Sequence, residues 1–178
     1  GKAVYTFAGG SKRLYDFIDD NPICCCAPVD YVNNVHTISE IDNFISINSC
    51  IGLDLFGQVC SESAGYRQVS GTGGQLDFVQ GAFASKNGKS FMCTHSTRRD
   101  SNGKLHSLIH PVLPAGSIVT TPRAAVNYVV TEFGAVNLKG KSTWQRAEAL
   151  IGIAHPQFRE ELVAEAEKMH IWRRSNKK

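Results

Sequence analysis

The 178-residue sequence is poor in the marks of metal and redox chemistry. Six cysteines are present, but no two form a Cys-x-x-Cys pair, and the six histidines and six cysteines nowhere fall at zinc-ligand spacing. No metal is therefore expected. Prolines number only six, and no Pro-, Gly- or Ser-rich linker, internal repeat or low-complexity tract divides the chain, so one domain is expected over residues 1–178. There is no apolar run long enough for a membrane-spanning helix and no charged-then-apolar opening of a secretory leader. These absences fit a cytoplasmic setting with reduced thiols, in which Cys24, Cys25 and Cys26 read as small buried hydrophobes within the apolar run 23–27. Nineteen basic against sixteen acidic residues leave a net charge of only +3. With no basic stripe interleaved with aromatics, no nucleic-acid partner is expected. The local excess at Arg173, Arg174, Lys177 and Lys178 reads as a solvated chain end.

What is present is ordinary globular composition, 42% hydrophobic and 20% charged, and enough chain for a sizeable core. Residues 3–7 read as a strand. Gly9-Gly10 breaks it, and Ser11 can cap a helix over 12–20 with Leu14, Phe17 and Ile18 on one face. Residues 23–27 read as a buried strand, and 32–41 as a polar connection with room for a short helix. Segments 44–49 and 53–56 are strand-like, with a kink or close backbone approach at Ile51-Gly52. A helix over 78–85 and strands over 90–95, 105–110, 117–121 and 128–132 follow, the first two of these strands joined by a polar hairpin turn over 96–104. Ser142-Thr143-Trp144-Gln145 has capping-box spacing and opens a helix through Leu150. Pro156 opens another, with Phe158, Leu162 and Ala166 on one face. Strands alternating with helices predict an α/β layer structure.

The most informative stretch is Ser70-Gly71-Thr72-Gly73-Gly74-Gln75-Leu76-Asp77-Phe78. Three glycines in four residues permit positive φ and close approach of backbone to a ligand. Successive N–H groups there can cradle an anion or a developing oxyanion. The spacing is neither that of a dinucleotide fingerprint nor that of a P-loop. A tight strand-to-helix turn is the plainer reading of such a cluster taken alone. Around it stand Ile45-Ser46-Ile47-Asn48-Ser49-Cys50, Asp54-Leu55-Phe56-Gly57-Gln58, Tyr128-Val129-Val130-Thr131-Glu132-Phe133-Gly134 and Ile153-Ala154-His155-Pro156. In this order, over nearly the whole chain, they resemble the C-terminal domain of the acetyl-CoA hydrolase/transferase family, closest to 4-hydroxybutyrate and butyrate:acetate CoA-transferases.

That resemblance implies an open twisted α/β sheet flanked by helices, the CoA-transferase (NagB/RpiA-like) fold. It implies transfer of CoA between a short-chain acyl-CoA and a carboxylic acid, with no prosthetic group and with CoA or acyl-CoA as substrate. Such enzymes work through a glutamate that attacks the thioester. The family's His-Thr-Glu-like motif does not occur here: His36-Thr37 is followed by Ile38. The nucleophile and an N-terminal domain of the same enzyme are thus expected upstream of residue 1, and the 178 residues alone are expected to be inactive. A homodimer is implied. By the same resemblance Gly74 offers a backbone N–H to the thioester oxygen, Ser70, Gly71 and Gly73 line the CoA site, and Ile51 lies in the pantetheine channel. Arg99 and Lys104, in the polar loop with Arg98, are placed for the CoA phosphates, with a solvated turn an equally weighted reading. Two alternatives stay open: an acyl-CoA hydrolase, and a non-catalytic CoA-binding or assembly half of a split protein.

Among the acids in the chain, Glu40, Glu62 and Glu132 are the possible carboxylate nucleophiles. Glu132 is the best placed, although a structural hydrogen-bonding role is favoured for it. Asp77 is expected to hold the glycine loop through local N–H bonds, and His155 to cap the helix after it rather than to act as a base.

Overall fold

The computed structural model describes residues 1–172, so the basic chain end at 173–178 lies outside the described residues. The chain opens with β1 (Ala3–Tyr5), α1 (Lys12–Ile18) and β2 (Cys24–Cys26), a parallel strand pair joined by a helical crossover. Ser11 does precede α1, but only its carbonyl serves the helix, accepting from Leu14 N at 2.9 Å; its side chain makes no cap bond. The expected burial of 23–27 does not occur. Ile23 and Cys26 are exposed, and Cys24 and Cys25 are half-buried. Two three-residue strands and a seven-residue helix carry too little apolar surface to close a core alone.

Two short helices follow, α2 (Val29–Val32) and α3 (Val35–Ser39), the second capped by the Asn34 side chain. β3 (Ile45–Ser49) and β4 (Gly52–Asp54) belong to different sheets, so the kink expected at Ile51-Gly52 is the point where the chain changes sheet. The two-residue strands β5 (Val59–Cys60), β6 (Ser63–Ala64) and β7 (Arg67–Gln68) come next; pieces so short carry no legible alternation. α4 (Gln75–Ala84) starts directly after Gly74, three residues ahead of the sequence expectation.

Beyond it lie β8 (Lys89–Cys93), β9 (Thr97–Arg99), β10 (Leu105–Ser107), β11 (Ile109–His110), β12 (Tyr128–Thr131) and β13 (Gly134–Asn137). The strand expected over 105–110 is thus two: β10 closes an antiparallel hairpin with β9, while β11 runs parallel to β4. Residues 117–121 form no strand, only an isolated bridge between Thr121 and Val59. Thr120 and Thr121 instead turn their hydroxyls to Ser61 N and Gln75 Nε2, both at 2.9 Å, and serve the loop after β5 and the start of α4 rather than a ladder.

The largest sheet has the order β13-β12-β8-β3, with β3, β8 and β12 parallel and β13 antiparallel at one edge. α4 packs on one face of it, with α3 behind. α5 (Thr143–Gly152) and α6 (Pro156–Lys168) close the other end of the core. The Ser142–Gln145 capping box forms in both directions. Leu162 and Ala166 of α6 are buried beside Leu150 and Ala147 of α5, with Phe158 packed at the margin. His155 Nδ1 accepts from Gln157 N at 3.3 Å, a helix-capping role. The architecture is α/β, as expected. No helix among the described residues is long and apolar enough to cross a membrane.

Candidate functional site

The glycine loop becomes the entry to α4. Gly73 has φ +60°, a conformation that L residues rarely adopt. Gly74 has an ordinary φ of −93° and stands at the N-cap of α4. Its constraint is space: a Cβ there would overlap the Asn33 carboxamide. Asn33 Nδ2 in turn donates to Asp77 Oδ2 at 3.2 Å. Asp77 therefore ties the first turn of α4 to the end of α2 instead of bonding the N–H groups of the glycine loop.

The start of α4 opens onto a cleft of about 770 Å³, lined by Val4 to Phe7, Asn33, Asn48, Gly73, Gly74 and Asp77 among others. The first turn of a helix has N–H groups with no helical acceptor, and its dipole favours negative charge. Asn48 lies in the same cleft. Its Nδ2 donates to the hydroxyl of buried Ser46 at 2.8 Å, which fixes the amide and leaves it a further N–H. Backbone and side-chain donors thus share a wall, an arrangement able to stabilise a developing oxyanion. The acids lining this cleft are Asp30 and Asp77, with no glutamate among its described residues.

A second cleft, of about 560 Å³, lies between β4, the β9–β10 hairpin and α6. Ile51, Arg98 and Lys104 line it, as do Gly52, His106, His110 and Phe158. Gly52 is a close-approach glycine: a Cβ would come within 3.2 Å of both His110 Nε2 and Leu108 O. Burial pushes the His110 imidazole below its ordinary pKa. The nearby Arg98 charge adds to this, and Asp54 opposes it. Asp100 at the hairpin tip is held below the usual carboxylate range, first by His106 Nε2 at 2.8 Å and then, against some desolvation, by the amides of Lys104 and Asn102. Arg99 faces elsewhere and braces its own turn, donating to Gly103 O at 2.9 Å.

A third cleft, about 650 Å³, lies beside Ser49, Cys50, Cys93, Val130 and Glu132 and shares Ile51 and Arg98 with the second. Burial pushes the Cys50 thiol up to about 12, so it stays protonated at neutral pH. Desolvation tends to raise Glu132, but the Ser96 hydroxyl at 2.6 Å and amide at 2.8 Å outweigh it and hold the carboxyl below its ordinary value. Glu132 is thus engaged structurally. Glu40 sits on the surface opposite His36, and Glu62 is buried, its carbonyl receiving Val69 N and Ser70 N.

The predicted site residues are therefore distributed. Gly73 and Gly74 share the first cleft, and Ile51 and Lys104 the second. Gly71 and Ser70 lie on the exposed approach to α4, where the Ser70 hydroxyl donates to Gly71 O. Asn33, Asn48 and His110 escaped the sequence reading. Asn48 left one trace: with Ser46 it is a polar residue at alternate positions of a strand, on the side that proves buried. Among the described residues no group of three or more His, Cys, Asp or Glu could hold a metal.

The family model for the acetyl-CoA hydrolase/transferase C-terminal domain matches residues 10–166. The chain belongs to this family. It is 57% identical over 176 residues to the butyryl-CoA:acetate CoA-transferase of Anaerostipes caccae, covering 99% of the chain and 40% of that protein. It is 54% identical over 168 residues to the 4-hydroxybutyrate coenzyme A transferase of Clostridium kluyveri, covering 94% of the chain and 38% of that protein. The crystal structure of RipA from Yersinia pestis superimposes with a TM-score of 0.86 at 47% identity, over 96% of the chain and 38% of RipA. The acetyl-CoA hydrolase/transferase domain described here thus spans about two fifths of the length of these relatives.

Proposed function

We propose that this domain is the C-terminal part of a CoA-transferase that moves CoA between a short-chain acyl-CoA and an acid such as acetate, butyrate or 4-hydroxybutyrate. A glutamate carboxylate attacks the thioester carbonyl and expels CoA thiolate, leaving a mixed anhydride. The thiolate then attacks the glutamyl carbonyl, releasing the acyl group as its acid and forming glutamyl-CoA. The incoming carboxylate reverses these steps. The observation that carries the reading is the first cleft, where Gly74, the start of α4 and Asn48 supply donors and the lining holds no glutamate. Such a wall suits the oxyanion half of the reaction. The absence of a His-Thr-Glu motif from the 178 residues supports a nucleophile lying elsewhere in the polypeptide. Lys104, with Arg98 beside it in the second cleft and Arg99 in the same hairpin, supplies positive charge for the CoA phosphates. No prosthetic group is called on, and we place the protein in the cytoplasm as a homodimer.

The test is to incubate the whole protein with acetyl-CoA and butyrate and to follow butyryl-CoA and free CoA. Butyryl-CoA is the expected product. Free CoA alone would make the protein a hydrolase, with water resolving glutamyl-CoA, and neither product would end the reading. Residues 1–178 alone are expected to be inactive; turnover on the order of 1 per second would place a nucleophile inside them.

A further inference from the structure

Asn48 lines the first cleft together with Gly74, and one contact holds its amide. Ser46 and Asn48 stand two residues apart on β3, so their side chains share a face of the sheet. Ser46 is 3% exposed, and its hydroxyl accepts from Asn48 Nδ2 at 2.8 Å. Among the described residues this is the only hydrogen bond of the Asn48 side chain. The last torsion of a carboxamide is broad and roughly two-fold. Turned one way, the amide offers N–H to the cleft. Turned the other way it offers Oδ1, an acceptor that repels a developing oxyanion. The bond to a buried hydroxyl therefore governs which atom the charge meets.

We infer that Ser46 is a positioning residue for acyl transfer: its hydroxyl holds the Asn48 amide with a second N–H left for the thioester oxygen. Ser46 touches no reacting atom and acts only through Asn48, so it has this role only if Asn48 serves the oxyanion, as proposed above. Ser90 supplies the matching comparison. It is the register partner of Ser46 on β8, lies on the same face and is 1% exposed. Its Oγ has no hydrogen-bond partner among the described residues. The two hydroxyls are alike in burial and strand position and differ in the bond to Asn48.

The test follows transfer from acetyl-CoA to butyrate by the whole protein. Asn48→Ala should lower kcat by about 10²-fold, the scale of one lost oxyanion donor. Ser46→Ala should lower kcat and kcat/KM for acetyl-CoA together, each by about tenfold, because the N–H is used only as charge develops. Ser90→Ala, and Ser46→Ala placed in an Asn48→Ala background, should each change kcat by no more than about twofold. A purely structural hydroxyl would give a different pattern. Ser46→Ala would then slow the Asn48→Ala protein by the same further factor, or Ser90→Ala would be as slow as Ser46→Ala, and either result overturns the assignment. A normal rate in Ser46→Ala beside a slow Asn48→Ala also overturns it and leaves the oxyanion reading standing. A normal rate in Asn48→Ala removes that reading and the role of Ser46 with it.

Discussion

The first and last helices carry the same kind of sequence pattern and meet opposite fates. In α1, Leu14, Phe17 and Ile18 recur at helical spacing; in α6, Phe158, Leu162 and Ala166 do so. Leu162 of α6 is 2% exposed and packed within the core, whereas α1 buries no residue and Phe17 is 56% exposed. Periodicity says which side of a helix is apolar, but not whether anything lies against that side. α6 packs against α5 within the core, while α1 connects two strands of three residues each. The N-terminal unit is folded by its own crossover, and the rest of the domain by its core.

The sharpest way to break this comparison is to cut both faces down. In the whole protein, Leu162→Ala is expected to cost about 2–5 kcal/mol, because it leaves a cavity among Ala147, Leu150 and their neighbours. Phe17→Ala is expected to stay within about 0.5 kcal/mol, the range of surface changes. Denaturant unfolding of both variants measures the contrast. A comparable loss from Phe17→Ala would show that the remaining polypeptide covers α1 as well.

The seam between the two regions runs through Asn33, Gly74 and Asp77. Gly74→Val forces the Asn33 carboxamide away and places a branched side chain where the N–H groups of α4 face the cleft. Acyl transfer by the whole protein is expected to fall by about 10²-fold or more, the scale of one lost oxyanion donor. Stability should fall by only about 0.5–1.5 kcal/mol, the scale of the Asn33–Asp77 bond. Asn33→Ala alone, which removes the same bond, should show a matching loss of stability. Normal turnover in Gly74→Val would reduce the loop to a structural turn.

This seam also marks where the sequence stopped being readable. The glycine run announced a turn and a ligand-facing backbone, and α4 does start there. That Gly74 must be glycine because of Asn33, forty-one residues earlier, is a tertiary fact with no local trace. Strand β12 was legible because aromatic and β-branched residues fill it, and β8 because Phe91-Met92-Cys93 is a short apolar run. β5, β6 and β7 were not, since two-residue strands are set by the loops they join. The β-branched run 117–121 misled because Thr120 and Thr121 spend their hydroxyls on the loop after β5 and on the first residue of α4. The cysteine run misled in another way: apolar composition at 23–27 predicts burial only where a further layer is present to bury it. Arg98 and Arg99, adjacent and alike, divide between a cleft and a turn brace, a distinction that only the β9–β10 register decides.

A smaller effect separates the two serines that open α1 and α5. Ser142 exchanges both capping-box bonds with Gln145, with Ser142 N donating to Gln145 Oε1 at 2.9 Å. Ser11 has the same backbone position without a side-chain bond. Ser142→Ala should therefore cost about 1 kcal/mol, and Ser11→Ala only a few tenths. Thermal unfolding of the two variants of the whole protein resolves the difference. Equal losses would mean that Ser11 engages its helix in solution.

The smallest expected effect is local and lies at the tip of the β9–β10 hairpin. Asp100 gathers the turn: its Oδ1 accepts from Asn102 N and Lys104 N at 2.9 and 3.0 Å, and its Oδ2 meets His106 Nε2 at 2.8 Å. These contacts favour the ionised carboxylate and hold its folded-state pKa below the ordinary value. The sign follows from linkage. A depressed carboxylate gives stabilisation that is complete above its unfolded pKa and is lost as the pH falls through the folded one. The hairpin tip should thus be well protected at neutral pH and loosen on acidification below about pH 4, while the core around Leu162 remains closed. Hydrogen exchange of peptides covering 97–107, corrected for intrinsic rates and compared with Asp100→Asn, measures this. The unsubstituted protein should lose protection as the pH falls. The Asp100→Asn variant, which has no carboxylate to protonate, should be nearly flat and less protected at neutral pH. Parallel profiles for the two proteins would show that the backbone bond from Gly103 N to Asp100 O holds the turn without help from the carboxylate.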